Sequence, residues 1–133
     1  MIRTELVRNF GRLEAEIAEE RGSFVLFALS MREGSIDRWD LIVAAPWLGT
    51  DQGEAVKYLV AQIKDRLGKE ELRSLSSIVV ADPANASVQE FTRSVHVEHG
   101  SLEIRDDVFF GLPVRRAYVI TSKRPPEAEP ARA

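Results

Sequence analysis

The stretch from Trp39 to Asp82, WDLIVAAPWLGTDQGEAVKYLVAQIKDRLGKEELRSLSSIVVAD, decides the fold. Its opening, WDLIVAAPWL, is apolar on both faces and leaves through Pro46, the composition of a covered strand that ends in a loop. Asp51 stands three residues before Glu54, an Asp-x-x-Glu variant of the capping box. Behind it Val56, Leu59, Val60, Ile63 and Leu67 share one helical face, which Gly68 closes. KEELRSL adds a helical turn, and SIVVAD is a short apolar strand ended by Pro83. Strand, helix and strand in that order form most simply a right-handed crossover, so the two strands are expected to be parallel neighbours.

Working outward, FVLFALSM precedes this unit and is joined to it by REGSIDR, a turn composition, so the two apolar runs should be antiparallel. Before them Ile2, Leu6, Phe10, Leu13 and Ile17 recur at helical steps, with Gly22 as the terminating residue. After the unit, Ser87 and Glu90 form a second capping box and open a short helix through Val88 and Phe91. VFFGLP breaks the chain before VRRAYVITS, a final strand. The pattern predicts a single α+β domain over residues 1–122. Its mixed sheet of about five or six strands should pack with two main helices and one or two short ones. KRPPEAEPARA, residues 123–133, has nothing to bury and is expected to be disordered.

Between those segments lies VHVEHGSLEI, Val95 to Ile104. A two-residue turn at His99-Gly100, with Gly100 in the left-handed region, would pair His96 with Glu103 and Val95 with Ile104. Val95, Val97, Leu102 and Ile104 then share one face, and His96, Glu98, Ser101 and Glu103 the other. The bland account is an amphipathic hairpin with a cross-strand polar pair. The functional account is that His96, Glu98 and Glu103 bind a divalent metal, or supply a general acid and base.

A second candidate is Asp40, in LFALSMREGSIDRWDLIV, residues 26–43. In layout this stretch is similar to the minimal nucleotidyltransferase motif, in which a strand ends in Gly-Ser and an Asp-x-Asp pair on the next strand holds magnesium. That resemblance implies phosphoryl transfer centred on Asp40. The chain departs from the motif where Gly-Ser would stand, at Ala28-Leu29, and where the first aspartate would stand, at Arg38. A strand-end carboxylate bonded to Arg38 or to loop amides is the competing account. Trp47 and Asp51 sit where the chain leaves its second strand, and in sheets with crossover helices that end is where ligands bind. They are the expected mouth of a ligand pocket, with core packing as the alternative for Trp47 and Trp39.

Composition narrows the classes. A net charge of -3 and Arg115 and Arg116 alternating across a strand disfavour a nucleic-acid partner. With no cysteine there is no disulfide or thiolate chemistry. No stretch is long and apolar enough for a membrane span, and the amphipathic start is not a signal peptide, so a soluble cytoplasmic protein is expected. Phosphate-binding loops and nucleophile elbows are missing from the sequence. Two functions are therefore ranked. The first is a non-enzymatic interaction or regulatory domain, a homodimer whose interface includes Phe109 or Phe110, adjacent aromatics that a regular strand points to opposite faces. The second is a divalent-metal phosphoryl-transfer enzyme, or a degenerate nucleotidyltransferase-like domain, built from Asp40, His96, Glu98 and Glu103.

Overall fold

Arg3–Arg21 form helix α1, and the chain then enters the sheet through Leu26–Arg32 (β1) and Trp39–Ala44 (β2) in a computed structural model that describes residues 3–34, 38–109 and 112–123. The two strands are antiparallel, with Ala28 opposite Ile42 and Ser30 opposite Asp40. A 3-10 turn at Pro46–Leu48 leads to α2, Gln52–Arg66, and a short α3, Lys69–Arg73, precedes β3, Leu75–Val80. β3 lies parallel to β2, as the crossover pattern requires. Helix α4, Ala86–Ser94, is followed by β4, Leu102–Phe109, and β5, Leu112–Ser122. Among the described residues the sheet has five strands in the order β3-β2-β1-β5-β4, an α+β domain with two main helices and two short ones.

Alternation along the strands divides the interior in two. One face carries Phe27, Leu29, Leu41, Val43, Tyr118 and Ile120, packed under Phe10, Leu13 and Ile17 of α1 and Leu59 and Ile63 of α2. The other carries Leu26, Ala28, Ala44, Ala117 and Val119, against which α4 sets Val88 and Phe91. Both faces of β1 and β2 are covered, which is why their sequences show no polar alternation. Trp39 belongs to the first core, beside Tyr118 at 5.8 Å between ring centroids. No helix among the described residues is long and apolar enough to cross a membrane.

Two local expectations are corrected. Helix α4 is capped by Asn85, whose side-chain oxygen accepts from the backbone N–H groups of Ser87 and Val88, so Ser87 lies inside the first turn and the Ser87–Glu90 box does not form. The hairpin at His99-Gly100 does not form either. Residues 101–104 do lead into a strand, but β4 pairs with β5, placing Glu103 opposite Tyr118 and Ile104 opposite Ala117. The β4–β5 pairing runs the full length of β4 and carries Leu102 and Ile104 onto an apolar face, a larger gain than a hairpin of four pairs offers. The strands on either side of the break at VFFGLP pair with each other, Phe109 opposite Leu112. Val95–Gly100 runs beside the end of β5, held by a bridge between Val97 and Ser122 and by the Gly100 N–H donating to Ile120. The left-handed residue there is His99, at φ 52°, and not Gly100. The expected disordered tail begins at Lys123, whose N–H donates to the Val25 carbonyl; residues 124–133 lie outside those described.

Candidate functional site

The four residues proposed as a metal or acid–base site do not converge. Asp40 points to the face that carries Ala117, and Glu103, opposite Tyr118, points to the other, three strands away. Each carboxylate is taken by a cation of its own. Asp40 accepts from Arg32 Nε at 2.9 Å and from Ser77 Oγ at 2.7 Å, so its partners are Arg32 and Ser77 while Arg38 donates instead to the Leu75 carbonyl. Glu98 pairs with Lys123 at 2.7 Å, and Glu103 with Arg116 at 2.6 Å and Arg105 at 2.8 Å. Lys123 holds the Glu98 carboxyl below its ordinary value, helped by His99 and His96, while Arg105 and then Arg116 do the same for Glu103. His96 is exposed, and among the described residues no group of three His, Cys, Asp or Glu side chains is placed to hold a metal ion.

The late segment does build a polar cluster, with a residue the sequence reading passed over. Glu14 is fully buried in the middle of the apolar face of α1. Its Oε2 accepts from Thr121 Oγ1 at 2.9 Å, and its Oε1 lies 2.7 Å from His99 Nδ1. The His99 backbone N–H in turn donates to Thr121 Oγ1. The pairing of Glu14 with Nδ1 leaves the His99 side chain 44% exposed. The irregular edge of the sheet at residues 98–101, where His99 takes its positive φ, aims the ring at the helix, as bulges do. Burying a carboxylate costs several kcal/mol unless its lone pairs are matched. Here two donors match them, and the cluster clasps the edge of the sheet to α1. One signal was present: Glu14 lies four residues after Phe10 and three before Ile17, on the stripe that should be apolar.

The face opposite α1 and α2 holds the larger feature. Val79, Ile42, Ala28, Val119 and Leu102 are direct cross-strand partners, an apolar row crossing all five strands. Its centre is buried with α4's core, but its ends emerge: Val79 is 45% and Leu102 40% exposed. No family model matches this chain, and no curated protein or solved structure matches it. The two edge strands that bound the row differ in character. β4 carries Glu103, Arg105, Asp106 and Asp107, and Asp106 breaks its regularity at φ 46°. β3, LSSIVV, has no charge at all.

The expected pocket residues separate. Trp47 packs edge-on against Phe24 and Tyr58, lies beneath the Arg21 guanidinium and donates to the Ser23 carbonyl. Asp51 caps α2 by accepting from the Glu54 N–H. A cleft of about 350 Å³ does open beyond the carboxyl ends of β2 and β3, lined by Ala45, Gly49, Thr50, Gln52, Val80 and Asp82 among others, but Trp47 and Asp51 are not in its wall. Phe110 and the Phe109 side chain lie outside the described residues.

Proposed function

We propose that this chain is a non-enzymatic interaction domain that associates with itself where the apolar row on the α4 side of the sheet comes into water. The apolar row from Val79 to Leu102 carries this reading, because apolar side chains left in water at the ends of an otherwise buried row gain from a partner's cover. The carboxylates support it too. A divalent ion at Asp40, Glu98 or Glu103 would first have to displace Arg32, Lys123, or Arg105 and Arg116. A soluble, cytoplasmic homodimer is the form we expect. Sedimentation velocity of the full chain at tens of micromolar tests it: a dimer supports the reading, and a monomer throughout that range overturns it.

One observation favours an enzyme as second reading. Glu14 Oε1 lies 2.7 Å from His99 Nδ1 and the imidazole is partly exposed, a carboxylate–imidazole pair of the kind that serves general-base work on water. A panel of activated phosphate and carboxylate esters, hydrolysed by the unmutated chain and not by His99→Ala, would establish it; equal rates for the two proteins exclude it.

A further inference from the structure

Resting on the self-association reading, we infer that the contact is made by the free edge of β3, paired antiparallel with β3 of a second copy about a two-fold axis. Every edge strand presents unpaired backbone N–H and C=O groups, and proteins blunt such edges with charge or irregular backbone when they are not to be used. β4 is blunted both ways, by Glu103, Arg105, Asp106 and Asp107 and by the left-handed Asp106. β3 carries no charge; the Arg38 and Gln52 side chains donate to its Leu75 and Val80 carbonyls, and an incoming strand takes their place. From Ser74 to Ala81 it is uncharged, it is rich in β-branched residues, and its Val79 stands half in water.

The residues flanking β3 supply the complementarity. Arg73, exposed at the end of α3, and Asp82, exposed just after β3, are in no ion pair among the described residues; the Asp82 carboxylate accepts from the Ala84 N–H nearby. A strand that pairs antiparallel with its own copy sets the start of one beside the end of the other. Arg73 of each copy then meets Asp82 of its mate, once at each end of the joint. The two-fold axis stands perpendicular to the sheet, so both apolar rows lie on the same side of a ten-stranded sheet and Val79 is covered where the copies meet.

Sedimentation of full-length variants, with circular dichroism to follow the fold, tests this. Val79→Lys should leave the spectrum unchanged and weaken dimerisation at least about tenfold, by placing a charge on the pairing edge. Arg73→Glu should weaken it about tenfold, and Arg73→Glu with Asp82→Arg should restore it. If Val79→Lys does not fold, the charge variants decide alone. A dimer indifferent to Val79→Lys and to Arg73→Glu overturns the β3 edge while leaving self-association in place. Failure of the double exchange to restore what Arg73→Glu lost overturns the antiparallel alignment. An unmutated monomer removes the self-association reading itself.

Discussion

Glu14 binds two partners that lie 85 and 107 residues away in sequence, and the three groups stand or fall together. Thr121→Val keeps the shape of the side chain but strips Oε2 of its donor inside the core. The variant should lose about 1–3 kcal/mol or more of stability in urea unfolding, the cost of an unmatched buried acceptor. At the surface, Glu98 and Glu103 have folded-state values below their ordinary ones. Between those depressed values and about 4.3 the unfolded chain binds more protons than the folded one, so stability rises with pH there. Their contribution is present above that window and is lost as pH falls through it. Acid unfolding of Glu103→Gln should accordingly be less steep below about pH 4 than that of the unmutated chain, as followed by circular dichroism. Of these residues, periodicity exposes Glu14 as a carboxylate on an apolar stripe. His99 as its partner is not legible, because the contact crosses most of the chain.

Helices and strands differ in how far their causes reach. The α2 cap is a contact between residues three apart, and the Asp51–Glu54 spacing foretells it. Asp51→Ala should lower stability by about 1 kcal/mol in the same urea titration. Gly22 ends α1 for an equally local reason, its φ of 127°, and a Cβ there would also meet Trp47 at 3.0 Å. The late hairpin shows the limit of local reasoning. Val95–Ile104 has alternation that suits a hairpin folded on itself, and the same alternation in Leu102 and Ile104 suits β5, whose Val119 and Ala117 are apolar opposites. The longer ladder wins. With it goes the His96–Glu103 pair on which the metal geometry rested, and Glu103 takes Arg116 of β5 instead.

Across the whole molecule, stability should follow position in the sheet. β1 lies at its centre, paired on both sides and buried on both faces, so its amides should exchange with deuterium most slowly; residues 95–101 and the outer edge of β4 should exchange fastest. If β3 is the contact between copies, its outward amides should gain protection as protein concentration is raised while those of β4 do not. The sequence by itself determined the α+β class, the antiparallel β1–β2 pair and the β2–α2–β3 crossover, because these follow from apolar periodicity and turn chemistry within a few tens of residues. Tertiary structure alone decided the partner of β4, the burial of Glu14 beside His99 and Thr121, and the placement of Asp40 and Glu103 on opposite faces of the sheet. Those outcomes depend on which distant segment offers the larger buried ladder and the matching donors, a competition that local patterns do not record.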